Sequence, residues 1–462
     1  MKKFLILLSI LVIGVCAYAL DVVYPKLDKV TINSPSTFFI GSSSPNKTLS
    51  VNGENVEVHP SGGFAKVVEL KYGENLFELL SGDEKLVYSI TRPYPKKSNQ
   101  SSLNTFAAYS KNKTLVIKND NAPLRSTPID AGINRMSHLP KGFCLISDGE
   151  KNGFNRVVLG KNTRGWIGKS YVETSDAVVN PVKIYSYNFN QDDAYYTYTF
   201  HLSSPTPWEI IEDKGITVKL FNIVGIEGNV YSKHIDKKTD LKQNVLLGYK
   251  AYYDGNDFVV KIRKQLSIDK KSPLSGIKIV LDAGHGGDEL GAIGCLGDKE
   301  KDINLLYAKD LEKVLKSKGA EVYMTREEDK YLGLYDRVDY TNKIDAPIFI
   351  SLHANALIDS MDPLSNYGTE IYYYYPQAKP LALMIMNSVT AGVNTVNHGV
   401  RQASFAVVRN TQCLSILVEI AYMINPEDNS KLIDKNFRNN IVKALADGIE
   451  SFLSIQELPI EN

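Results

Sequence analysis

The sequence predicts a multidomain protein in which all-β modules precede a C-terminal α/β domain with a mixed, largely parallel sheet flanked by helices. Three observations predict it. A chain of 462 residues exceeds what one ordinary hydrophobic core supports. Up to about Lys264, short runs rich in β-branched and aromatic residues are broken by turn signals such as Asn52-Gly53 and Ser61-Gly62-Gly63. Beyond Lys264, apolar runs alternate with helical periodicity, the pattern of βαβ units.

At the N-terminus, Lys2 and Lys3 precede an apolar run from Phe4 to Val15, and Ala17-Tyr18-Ala19 offers the small residues that a signal peptidase reads. Residues 1–19 are therefore expected to be a signal peptide cleaved after Ala19. The run is too short for the roughly 20 apolar residues of a membrane span, so an exported protein of periplasm, cell wall or extracellular space is expected, with no stable membrane span. A lipoprotein reading on Cys16 is disfavoured by the bulky Val15 before it. Removing Lys2 and Lys3 leaves 51 basic against 52 acidic residues, a balance that gives no field for nucleic acid or anionic membrane. Hydrophobic residues at 43% and charged residues at 23% exclude wholesale disorder and a polytopic membrane protein. Cys144, Cys295 and Cys413 are too few and too scattered for a disulfide framework, and Cys413 is expected to be a buried thiol.

Residues 20–94 contain short β-type runs such as Thr37 to Ile40 and Lys66 to Leu70, and resemble an immunoglobulin-like sandwich. Pro95 to Leu103 reads as a polar linker. Residues 103–174 contain Ala122-Pro123-Leu124-Arg125-Ser126, Leu139-Pro140-Lys141-Gly142 and Arg164-Gly165-Trp166-Ile167-Gly168. They resemble a bacterial SH3 domain, which implies that Trp166 fills a small barrel. Residues 180–265, with alternating Tyr and Thr from Tyr195 to Phe200, resemble the AMIN-type modules that target wall amidases. Ser267 to Ser275 reads as a polar hinge into the last domain, residues 276–456.

In that domain Ile277 to Leu281, Ile348 to Leu352 and Leu414 to Val418 have the composition of strands buried on both faces. Between the first two, Glu300 to Lys318 predicts a helix whose buried face carries Ile303, Leu306, Leu311 and Leu315 and which Gly319 ends. A last helix is expected between Pro426 and Leu453.

The apolar runs lead directly into chemically capable groups: Asp282-Ala283-Gly284-His285-Gly286-Gly287, His353-Ala354-Asn355, and Glu419. Open α/β sheets place their sites at strand carboxyl ends, and Glu300 at the following helix start is near enough to join them. A catalytic zinc takes three protein ligands and a water. His285, Glu300 and His353 would supply the three, leaving Glu419 to move a proton. Each residue alone has a plainer reading: a hydrogen-bonded loop histidine, or a helix-start glutamate placed for the dipole. Gly286-Gly287 is followed by no P-loop lysine, which argues against nucleotide binding.

Residues from about Gly276 to Leu453 closely resemble the zinc-dependent N-acetylmuramoyl-L-alanine amidase family, the type-3 wall amidases. The matching segments are Asp282 to Gly287, Gly294, Gly297, Glu300-Lys301-Asp302, Thr325-Arg326, Leu334 with Arg337, Ser351 to Asn355, and Leu417 to Ile420. The resemblance implies hydrolysis of peptidoglycan, zinc on His285, Glu300 and His353, and Glu419 as catalytic glutamate. Two departures stand out. Asn397-His398-Gly399 replaces an arginine before glycine, and Ala421-Tyr422 replaces glycine and phenylalanine. His398 is read as a surface-loop residue, with a fourth ligand or substrate contact as the alternatives. The interval from Ala354 to Tyr367 is too short for the inhibitory helix of some relatives. Two other readings remain open: a zinc peptidase acting on stem peptides, and a non-catalytic wall-binding protein.

Overall fold

The computed structural model describes residues 19–95, 105–130 and 132–455. Apart from Ala19, the expected signal peptide lies outside the described residues, as does nearly all of the expected linker.

The N-terminal region is built mostly from antiparallel strands, with Lys29–Thr31 pairing in parallel with Ser89–Thr91, and their two-residue periodicity sends alternate side chains inward. Between Asp21 and Arg92 a three-stranded sheet faces a five-stranded one, and Phe39, Phe64, Leu79 and Ile90 fill the space between them. Ala107 to Ser175 forms one seven-stranded sheet around Leu115, Leu124, Val157 and Ile167. Trp166 is not in that core. It is half-buried, edge-on to Phe106 at 6.2 Å, because the alternation along Arg164–Gly168 turns Gly165 and Ile167 inward and Trp166 outward. Ile184 to Arg263 forms a four-stranded and a three-stranded sheet around Phe200, Val218, Leu220 and Phe258. The expected polar hinge is partly core: Leu274 is fully buried, and Ile268 packs on the C-terminal cluster.

The C-terminal unit has six strands: β1 (Lys278–Ala283), β2 (Glu321–Met324), β3 (Ile348–Asn355), β4 (Thr369–Tyr373), β5 (Asn397–Gln402) and β6 (Leu414–Tyr422). Their order is β2-β1-β3-β6-β4-β5. The first four run parallel, and β4 reverses direction against β6 with β5 parallel to it. The helices are α1 (Glu300–Ser317), α2 (Leu334–Ile344), α3 (Lys379–Gly392), α4 (Pro426–Ile433) and α5 (Lys435–Ile455). Helices α1, α3 and α5 cover one face over the large core of Ile279, Ile350, Ile416, Ile385 and Ile449. A smaller cluster of Val280, Phe349 and Leu417 covers the other.

On α1 the buried stripe is Ile303, Tyr307, Leu311 and Leu315, at steps of four. Leu306 is 50% exposed, because it lies about 100° round the helix from Tyr307. Gly319, at φ 91°, comes just past the helix end. The expected terminal helix is two, since Asp434 adopts an extended conformation between α4 and α5. No helix among the described residues is long and apolar enough to cross a membrane.

Candidate metal centre

Alternation along the strands creates the site. In β1, β3 and β6 the residues Ile279, Leu281, Ile350, Leu352, Ile416 and Val418 enter the large core. Asp282, Ser351, His353 and Glu419 therefore share the opposite face. In the ladder Asp282 pairs with Ser351, His353 with Glu419, and Glu419 with Glu370 of β4. His353 and Glu419 thus lie within their strands rather than just beyond them, as the apolar runs alone suggested. Strand pairing continues past the apolar stretch because these polar side chains face a crevice.

His285 lies just beyond β1 in a loop with φ 60°, and Glu300 opens α1. His285 Nε2 lies 3.2 Å from Glu300 Oε2, and His353 Nδ1 lies 2.9 Å from Glu300 Oε1. The two imidazoles meet edge to face at 5.0 Å. One ligand atom from each of the three residues lies within 4.8 Å of the others. Burial opposes charge on Glu300, but hydrogen bonds from His285 and His353 hold its carboxyl well below the usual range. It also accepts from the Ala292 amide at 2.8 Å and from Asn304 Nδ2 at 3.2 Å. Two neutral or basic nitrogens around a fixed carboxylate, with further donors orienting that carboxylate, form a donor set that fits zinc.

The loop is fixed from beneath. Arg326 donates to the Ala283 and Gly284 carbonyls at 2.8 and 2.9 Å, and Arg337 to the Ala283 and His285 carbonyls at 2.9 and 3.0 Å. Asp282 compensates Arg337 at 2.6 Å and accepts from Thr325 and Ser351, each also at 2.6 Å. All three charged residues are at most 2% exposed. Gly284 is required by close approach, since a Cβ there would sit 2.2 Å from the His353 ring.

Glu419 stands across the ladder from His353, and its Oε2 is buried without a hydrogen-bond partner among the described residues. Burial, then the nearby Glu300 and Glu370 carboxylates, raise its proton affinity well above that of an ordinary glutamate. A sheltered carboxylate of this kind is suited to taking and returning a proton.

His398 does not join the metal group. Its Nδ1 lies 2.8 Å from the Tyr422 hydroxyl and 3.3 Å from Glu370 Oε1. Glu370 Oε2 accepts from Asn355, Tyr372 and Tyr422, and Arg401 lies 3.0 Å from Oε1. The two sequence departures, His398 and Tyr422, are therefore bonded to each other beside Glu419's cross-strand neighbour. Sequence reasoning missed this network and the supporting role of Asp282, Arg326 and Arg337. A charged residue interrupting an apolar run was the available signal for Asp282. Between β3 and β4 the chain forms turns and no helix.

Residues 279–451 match the N-acetylmuramoyl-L-alanine amidase family model. This part of the chain is similar to the N-acetylmuramoyl-L-alanine amidase domain, and is called the amidase domain below for that similarity. The probable cell wall amidase LytH of Staphylococcus epidermidis is 36% identical over 185 residues, which cover 40% of this chain and 60% of that protein. LytH of Staphylococcus aureus is 34% identical over 187 residues, covering 40% and 61%. The chain thus spans about three-fifths of the length of these curated relatives. Among solved structures, the amidase AmiC2 of Nostoc punctiforme is 35% identical with a TM-score of 0.37, covering 39% of this chain and 99% of that one. The amidase domain carries all four sequence-predicted chemical groups: His285, Glu300, His353 and Glu419.

Proposed function

We propose that this protein is an exported zinc hydrolase of peptidoglycan that cuts the amide bond between N-acetylmuramic acid and L-alanine. The observation that carries the reading is one crevice in which His285, Glu300 and His353 converge within 4.8 Å while Glu419, cross-strand from His353, keeps a buried carboxylate oxygen unpartnered among the described residues.

His285, Glu300 and His353 would hold the metal. Zinc bound there supplies a Lewis acid that activates water and polarises a carbonyl. Glu419 Oε2 accepts the proton of the attacking water and returns it to the departing amide nitrogen, so the new amine leaves neutral. The Asp282, Arg326 and Arg337 braces keep the ligands in place through the cycle. The network of Glu370, His398 and Tyr422 borders the substrate side. The three β-rich units, of immunoglobulin-like, SH3-like and AMIN-like kind, serve as wall-directed modules.

The test is digestion of purified peptidoglycan with and without a chelator, then mass analysis of the fragments. Amidase action leaves glycan free of peptide and stops on chelation. Fragments that retain alanine on the glycan would assign a peptidase instead. No release by the metal-loaded protein would support a binding role.

A further inference from the structure

The first β-rich unit is docked beside the metal centre. Phe38, Ile40 and Ala65 form one buried cluster with Cys295 and Ile424 of the amidase domain. Close packing extends to Gly63, where an added Cβ would lie 3.2 Å from the Cys295 Cβ. Tyr24 and Thr37 both donate their hydroxyls to Asp359 Oδ1, at 2.5 and 2.7 Å. Apolar packing at one end and shared hydrogen bonds at the other fix the orientation of the unit.

A cleft of about 440 Å³ lies between the two parts, within the range of small-ligand sites. Val23, Tyr24 and Lys26 line it from the first unit, and Ala292, Leu357 and Ile358 from the amidase domain. Two residues of its far wall, Gly291 and Ala292, lie against the candidate metal ligands. The Ala292 amide holds Glu300 Oε2, and a Cβ at the neighbouring Gly291 would lie 2.8 Å from the His285 ring. Leu357 and Ile358 follow one residue after the His353-Ala354-Asn355 end of β3. The walls are mostly apolar. Asp359 is engaged by the two hydroxyls, whereas Lys26 is exposed and forms no ion pair among the described residues.

We propose that this cleft binds the peptide side of the scissile amide, with alanine-sized side chains against the apolar walls and a peptide carboxylate toward Lys26. The inference rests on the amidase reading. It makes the first unit part of the substrate site as well as a wall-directed module. A peptide that begins with alanine suits an apolar slot leading away from the metal ligands, and a single lysine at the rim complements an acid.

The experiment uses the full chain and a soluble N-acetylmuramoyl peptide, offered with a free C-terminal carboxylate or as its C-terminal amide. Lys26→Glu should raise KM about tenfold on the acid, leave the amide nearly unchanged, and preserve kcat. Val23→Trp, which fills the cleft, should raise KM on both substrates. Zinc content should be the same in all three proteins. Unchanged KM in both variants, with the parent active, overturns the inference. Equal loss on acid and amide overturns the assignment of Lys26. A zinc-loaded parent that cleaves neither substrate overturns the amidase reading itself, and this inference with it.

Discussion

In the amidase domain charged side chains turn inward: Asp282, Arg326 and Arg337 lie under the metal loop, none more than 2% exposed. In the strand from Ile184 to Gln191 the aromatic side chains turn outward, with Tyr185 68%, Tyr187 43% and Phe189 50% exposed. The contrast lies in where each region places its polarity. A site that must hold three ligand atoms in one geometry needs braces, and an interior charge is costly unless its donors and acceptors are matched. A half-exposed sheet edge needs no such network: Tyr187 and Phe189 lean on Phe200 and Tyr198 of the same unit and keep their outer faces to solvent.

The largest expected effects lie at the candidate metal centre and separate the proposed ligand from the proposed base. His353→Ala leaves two protein donors, so zinc content and activity should fall together on dialysis. Glu419→Gln keeps the shape but cannot accept a proton. Its zinc should stay near one per chain while kcat falls by about two to four powers of ten. Loss of metal in the Gln variant would make Glu419 a ligand and turn attention to Glu370 or His398 as the base.

Next comes the brace. Asp282→Ala removes the partner of Arg337 and strands two hydroxyls, Thr325 and Ser351, at an expected cost of about 3–5 kcal/mol in denaturant unfolding. A smaller effect is expected at the seam between the third β-rich unit and the amidase domain, where Glu212 accepts from the Gln377 amide at 2.7 Å. Burial pushes Glu212 up to about 7 from its ordinary 4.5. The folded protein therefore retains a proton there that the unfolded chain has released, and stability should fall as pH rises from 4.5 through 7. Glu212→Gln should flatten that fall, gaining up to about 3 kcal/mol at pH 8 and little at pH 4.5.

The smallest effect on folding is expected outside. Tyr187→Ser should change stability by no more than about 0.5 kcal/mol, while sedimentation with purified sacculi reports whether the aromatic edge aids retention on the wall. If Asp282→Ala cost no more than Tyr187→Ser, the contrast between braced site and free edge would collapse.

The α/β alternation was legible because β1, β3 and β6 are near-continuous apolar runs, and His285, His353 and Glu419 stand at or just past the ends of those runs. Glu300 was legible as an acid at a helix start. The network of Glu370, His398 and Tyr422 was not, because it depends on β4 reversing against β6, which no local periodicity encodes. The docking of the first unit was hidden for the same reason: Tyr24 and Asp359 are 335 residues apart. The resemblance to an SH3 domain put Trp166 inside the barrel, whereas strand parity turns it outward.

Cys295 sits fully buried in the seam between the first unit and the amidase domain, and burial, with Asp298 nearby, holds its thiol protonated far above the usual range. Alkylating reagents attack thiolate, so they reach this sulfur only in molecules whose seam has parted. Cys144, partly accessible, reacts from the closed state. The ratio of the two labelling rates therefore measures an opening equilibrium, and a peptide lodged in the neighbouring cleft should slow the first rate without touching the second.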